Sequence, residues 1–220
     1  MFYDPEKNDH GMPHNPLSSL IVPRPIGWIS TISAEGVHNL APYSQFQIVN
    51  SQSPYVMVGC SPHRTGGRKD TVTNIEQTGE FVYNMATYDL RMAMNATSAE
   101  VPPEVDEFVL AGLTKAPSIR VRPCRVSESP VQFECRHYQT VRLPGYSPSQ
   151  SVDMVIGKVV MIHIKDEVID AAGRVDILRI RPLARLGYQD YSCVDHVFEI
   201  PKPAPHEIGA LQAAAAKTSG

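Results

Sequence analysis

The stretch Ser61-Pro62-His63-Arg64-Thr65-Gly66-Gly67-Arg68-Lys69-Asp70-Thr71 brings three permanent cations and two glycines together just ahead of a helix-like run. In outline that is an anion site. Glycine lets the backbone approach a ligand, and the first N–H groups of a helix point outward with the positive end of its dipole. Lys69, Arg64 or Arg68 would pair with phosphate oxygens while Thr71 offers a hydroxyl. The GxxxxGK[ST] pattern of a P-loop is absent. A solvated basic loop followed by a capped helix accounts for the same residues.

A second concentration lies in Pro23-Arg24-Pro25-Ile26-Gly27-Trp28-Ile29-Ser30-Thr31 and in Asn39-Leu40-Ala41-Pro42-Tyr43-Ser44-Gln45-Phe46. Two Pro-rich turns bracket a hairpin that carries the only tryptophan, several hydroxyls and an asparagine. Those groups suit a planar, partly apolar ligand gripped by backbone amides and small polar side chains. A core tryptophan between ordinary turns is the plainer reading. The four cysteines, Cys60, Cys124, Cys135 and Cys193, form no CxxC pair, and HExxH does not occur, so the sequence gives no reason to expect a metal.

These groups must be positioned by short strands. Residues 25–33 alternate, with Trp28 and Ser30 on one face and Ile29 and Thr31 on the other, and Ala34-Glu35-Gly36 reads as a hairpin turn. Further strands are expected over 44–51, 55–60, 80–86, 119–127, 131–143 and 154–168. One helix should open with Asp70 as its N-cap and stop at Gly79, and a second should run from Asp89 to about Ala96. The fold class expected is mainly β, an antiparallel barrel with a few short peripheral helices. Residues 1–205 read as one domain, and the Ala-rich stretch 206–220 reads as a tail, either a docked last helix or frayed.

Composition bounds the function. Twenty Lys and Arg against 23 Asp and Glu give a net charge of −3, and the hydrophobic fraction is 42%. No basic surface for nucleic acid is implied, nor a membrane span, nor a secretory signal, so a cytoplasmic enzyme or binding protein is expected.

The order RPIGWIST, NLAPYSQF, GGRKDTVTNI, FECRHY and IGKVV resembles the flavin reductase-like family with the FMN-binding split-barrel fold, flavoredoxin type, over roughly residues 17–190. The resemblance implies a six-stranded split barrel, a homodimer with flavin near the subunit interface, and reduction of flavin by NADH or NADPH. It places the FMN phosphate on Lys69, Asp70 and Thr71, with Asn74 one turn further on and Asp70 at the edge. It places Trp28, Ser30, Thr31, Asn39, Ala41, Pro42, Tyr43 and Ser44 along the ring and ribityl chain, with backbone N–H groups from Ala41 to Ser44 as donors. FAD is the alternative flavin. His137, on a strand, is the candidate at the flavin edge. No GxGxxG follows a strand, so the nicotinamide would bind without a Rossmann domain. A flavin-dependent monooxygenase is the partner such a reductase would feed. The competing readings are an FMN-binding electron carrier with no nicotinamide reaction, and a split barrel adapted to haem or a phosphorylated pyridoxal.

Overall fold

A computed structural model describes residues 1–64, 66–147 and 150–208. Strands form where β-branched and aromatic residues run between Pro, Gly and polar turns. In chain order they are β1 (Arg24–Pro25), β2 (Gly27–Ile32), β3 (His38–Tyr43), β4 (Phe46–Asn50), β5 (Tyr55–Cys60), β6 (Glu80–Met85), β7 (Lys115–Ala116), β8 (Arg125–Val126), β9 (Val131–Leu143), β10 (Val152–Ile164), β11 (Leu183–Gly187) and β12 (Asp190–Cys193). The helices described are α1 (Leu17–Leu20), α2 (Asp70–Thr78), α3 (Arg91–Ala96), α4 (Glu107–Leu110) and α5 (Ile177–Ile180).

Seven strands form one antiparallel sheet in the order β3-β2-β6-β9-β10-β5-β4. Its two edges, β3 and β4, are separated in the chain only by Ser44 and Gln45. A sheet whose opposite edges are joined by so short a link has to curl until they meet, which makes a barrel left unlaced along one seam. The Gly59 N–H donates across that seam to the Gln45 carbonyl at 2.7 Å. The expectation of six strands is corrected to seven, with β1, β11 and β12 forming a separate small sheet.

Inside the barrel, Ile29, Val56, Val58, Phe81, Cys135 and Val155 pack together, and α2 closes one end by burying Val72 and Ile75 completely. Gly27 permits the close approach of β2 to Phe46, because a Cβ there would lie 2.5 Å from its ring. A second cluster, with Trp28, Leu40, Met94, Phe108 and Leu183, covers the other face of the hairpin.

Four expected elements move: the strand over 154–168 shifts to β10, and Asp166–Val168 form a 3-10 turn instead of its end. The helix over 70–79 stops at Gly79 as expected, in a left-handed conformation (φ 74°), but it begins one residue early: Lys69 is the N-cap and Asp70 the first helical residue, with no side-chain cap. The second helix starts at Arg91 rather than Asp89. The strand over 119–127 shrinks to β8, since Pro117 and Pro123 break its ladder. The buried Glu134 carboxylate accepts the Ile119 and Arg120 N–H groups in place of a neighbouring strand, at 2.8 and 2.6 Å. Of the Ala-rich tail, His206 and Glu207 belong to the 3-10 turn Pro205–Glu207, and residues 209–220 lie outside the described residues, as do Pro148 and Ser149 of the 144–151 segment.

Candidate functional site

The hairpin sorts its polar residues by the alternation of strand side chains. Residues Thr31, Asn39, Ala41 and Tyr43 face α2, while Trp28 and Ser30 face the second cluster. Trp28 is fully buried and donates its indole N–H to Thr97 Oγ1 at 2.9 Å, and Ser30 donates to the Cys124 carbonyl at 2.6 Å. Neither lines a cleft, which corrects the expectation that they flank a ligand. Trp28 instead anchors the turn that forms one wall.

On the α2 side a buried hydrogen-bonded chain runs inward. The Tyr43 hydroxyl donates to Thr71 Oγ1 (2.8 Å), the Thr71 hydroxyl to Asn39 Oδ1 (2.9 Å), and the Asn39 amide to Glu107 Oε1 (2.8 Å). The Leu40 N–H donates to Glu107 Oε2 at 3.0 Å. Burial pushes the Tyr43 hydroxyl well above its ordinary pKa, so it stays a donor. Burial also raises the Glu107 carboxyl, against the pull of the Leu40 and Asn39 hydrogen bonds. With two donors committed to Glu107, the Asn39 oxygen must face Thr71, and the Thr71 proton is spent inward. Thr71 therefore does not offer its hydroxyl to a ligand; it offers its backbone N–H. Asn74 and Thr31 bond to each other (3.1 Å) and are buried, so they brace this network rather than line a cleft.

Above the chain opens a narrow cleft lined by Asn39, Ala41, Pro42, Tyr43, Lys69, Asp70 and Thr71, with His63, the 97–101 turn and Glu107 opposite. The Asp70 and Thr71 N–H groups at the start of α2 have no partner among the described residues, as expected of a helix's first donors. Lys69 Nζ meets Glu100 Oε1 at 2.7 Å, and the same oxygen takes the Arg64 N–H at 3.2 Å and stands 3.7 Å from His63 Nδ1. The Lys69 and Arg64 contacts hold the Glu100 carboxyl down at about 2. The arrangement gathers the donors an anion would need, one ammonium and two open N–H groups, with the Glu100 carboxylate standing where an outside anion would compete and the Asp70 carboxyl also on the lining.

The other cations do not join it. Arg68 forks onto Glu76 (2.6 and 2.8 Å) and reaches Asp153 at 3.1 Å, and the exposed Arg64 side chain does not line the cleft. His137 donates its N–H to the Gly79 carbonyl, at the opposite end of α2, with its ring on Thr140 Oγ1 at 2.9 Å. Within one chain it stands about 13 Å of helix away from the cleft, so it is not a catalytic candidate there. His10 and His14 have HxxxH spacing, but they are not on a helix and their rings face Tyr3 and Tyr188 respectively.

Past Pro42, Tyr43 and Ser98 the narrow cleft meets a wider one, lined by Ser44, Gln45, Arg24, Arg185, Tyr188 and Tyr191 among others. Here Ser44 presents an N–H with no partner among the described residues. The neighbouring donors are not available: Pro42 has none, Leu40 is taken by Glu107, and the alternation of an antiparallel ladder then turns the Ala41 and Tyr43 N–H groups toward β2. The expected row of donors from Ala41 to Ser44 is thus reduced to one.

Against known proteins, the flavin reductase like domain matches residues 18–189. An uncharacterized protein of Aquifex aeolicus is 40% identical over 172 residues, covering 78% of this chain and 85% of its own. The chain belongs to the flavin reductase-like domain family. Among solved structures, nitrilotriacetate monooxygenase component B from Bacillus cereus superposes with a TM-score of 0.83 at 31% identity, covering 91% of this chain and 98% of that one. The 2-nitrobenzoate 2-nitroreductase NbaA of Pseudomonas fluorescens gives a TM-score of 0.74 at 25% identity, covering 86% and 89%. A flavin reductase with a split barrel domain from Shewanella frigidimarina, at 22% identity and a TM-score of 0.77 over 92% and 100%, shares the fold. The family is a flavin-binding one with redox members, and the antiparallel split barrel is its architecture.

Three cleft residues in this flavin reductase-like chain escape a reading of sequence. Glu100 and Glu107 sit in the acidic, Pro-broken run Ser98 to Glu107, which has the look of a solvated connection, and His63 stands in a loop with no spacing signal. Only the contacts across 31 residues to Lys69 and 68 residues to Asn39 give the two carboxylates a role.

Proposed function

We propose that this protein binds FMN in the paired clefts and reduces it with NADH or NADPH. The terminal phosphate sits on Lys69 and the Asp70 and Thr71 N–H groups, and the ring lies past the Pro42–Tyr43 rim toward Ser44. The observation that carries this is the narrow anion site opening directly into a wider cleft, and the donors at each end fit the two ends of that molecule. When bound, the flavin supplies a two-electron acceptor for hydride from the nicotinamide. The chain's own work is positional. Lys69 exchanges Glu100 for phosphate, α2 adds two hydrogen bonds and its positive end, and the Glu107–Asn39–Thr71–Tyr43 chain fixes the floor at the rim. The Ser44 N–H is the donor available to the polar edge of the ring. No side-chain acid or base is required, because hydride transfer depends chiefly on holding the two rings in contact. The similarity to nitrilotriacetate monooxygenase component B supports reduced flavin being passed to a separate monooxygenase. The working form is a cytoplasmic homodimer, with each flavin near the subunit boundary.

The test is the absorbance spectrum of protein loaded with FMN and titrated without oxygen, first with NADH and then with NADPH. Bleaching of the bound flavin is expected. Flavin that binds but is not bleached by either nucleotide makes the protein an electron carrier, and no flavin binding at all removes the cleft assignment.

A further inference from the structure

Beyond the rim, β1 and β11 place Arg24 and Arg185 directly opposite each other in an antiparallel pair. Like charges in that relation repel, and sheets seldom keep them without a reason. Both arginines line the wider cleft, both are half-buried, and neither meets a carboxylate among the described residues. Arg24 donates to the Ser18 and Ile21 carbonyls; Arg185 donates to the carbonyl of Tyr188, a residue held at φ 46°, and lies over the Tyr191 ring at 4.5 Å. The Arg24 Nε is buried with no partner. Two opposed guanidinium groups that line one cleft with no carboxylate to neutralise them call for an anion between them.

The surroundings indicate which anion. On one side the wider cleft shares Pro42, Tyr43 and Ser98 with the narrow one; on the other it shares Met94, Asn95 and Tyr191 with a third, largely apolar cleft. That third cleft is walled by Met92, Leu183 and Tyr88, whose ring lies under Arg91 at 4.0 Å and Arg181 at 4.2 Å. A ligand lying along this groove has a flat group at the Pro42 rim, a doubly charged middle at the arginines and a second flat group against apolar and aromatic walls. We infer that Arg24 and Arg185 hold the pyrophosphate of an adenine dinucleotide, with its adenosine in the cleft of Tyr88 and Tyr191. The inference rests on the proposed flavin site and names how that site takes its reductant. FAD carries the same adenosine diphosphate, but its pyrophosphate would sit at Lys69, the far end of the groove, so the arginine pair belongs to NADH or NADPH.

The experiment measures ADP-ribose binding by calorimetry, on protein with and without FMN, for the wild type, Arg185→Gln and Arg185→Lys. Flavin affinity is followed separately by fluorescence quenching. ADP-ribose is expected to bind the wild type, to bind Arg185→Gln at least tenfold more weakly, and to recover partly in Arg185→Lys, while FMN affinity falls far less than that of ADP-ribose. In turnover, the preference for NADH over reduced nicotinamide mononucleotide should collapse in Arg185→Gln through KM rather than kcat. No ADP-ribose binding to the wild type, or equal binding to all three proteins, overturns the assignment. A variant that alters the FAD to FMN preference and spares ADP-ribose also overturns it, by giving the pair to the flavin. Failure of FMN to bind while ADP-ribose binding still depends on Arg185 sinks the flavin reading and leaves the arginine site standing.

Discussion

In the proposed FMN site, Lys69 and Glu100 form a contact that the phosphate would have to replace, and that makes their two substitutions opposite in sign. Removing the ammonium with Lys69→Ala should weaken FMN by about 1.5–3 kcal/mol, the scale of a charge-assisted hydrogen bond, while riboflavin, which has no phosphate, changes little. Equal losses for the two flavins would take the phosphate away from α2. Glu100→Gln removes the internal competitor, whose oxygen stands 2.7 Å from Lys69 Nζ. FMN should then bind several-fold tighter with riboflavin again unmoved, as read by titrating flavin fluorescence. Weaker FMN binding in Glu100→Gln would mean the carboxylate orders the 97–101 wall more than it blocks the site.

At the scale of elements, the hairpin, α2 and the long strands were open to a reading of the sequence, because each follows from local chemistry: alternation over 25–33, Gly79 as a helix stop, and unbroken β-branched runs such as Val131–Leu143. What was not legible depends on partners distant in sequence. The face on which Trp28 lies is visible in its alternation, but that face is sealed by Thr97 and Phe108, and nothing local to residue 28 says so. The segment 117–124 has strand-like composition, yet its N–H groups are taken by the buried carboxylate of Glu134, which also meets His163 Nε2 at 2.6 Å. Burial pushes the Glu134 carboxyl up, but the hydrogen bonds from Ile119, His163 and Arg120 outweigh it and leave its pKa lowered. A lowered carboxylate pKa contributes stability that is intact above the ordinary value of 4.5 and is lost as pH falls below it. Glu134→Gln should therefore cost about 3 kcal/mol near neutral pH, by leaving buried donors facing an amide. Its denaturant midpoint should converge on that of the wild type as pH is lowered from about 5 toward 3. Parallel curves over that range would show that the charge of Glu134 is not what holds the segment.

For the whole molecule, the unmatched surface is informative. After β12 the chain exposes Val197, Phe198 and Ile200 at 61, 73 and 79%, and the edge strand β4 exposes Ile48 and Val49 at 47 and 59%. A single subunit leaves these residues in water, where each apolar side chain costs on the order of 1.5–3 kcal/mol relative to burial, and exposed apolar residues in such numbers suit a contact surface. If a second copy covers them and the flavin lies near the boundary, association and flavin binding are linked, since a ligand that favours the dimer must also be held better by it. The double variant Phe198→Ser, Ile200→Ser should shift sedimentation toward the monomer. In that variant, and not in the wild type at the same concentration, FMN affinity should fall as the protein is diluted. A monomer that keeps full FMN affinity at every dilution would show that each chain completes its own site, and the exposed apolar segment would then need a partner other than a second copy.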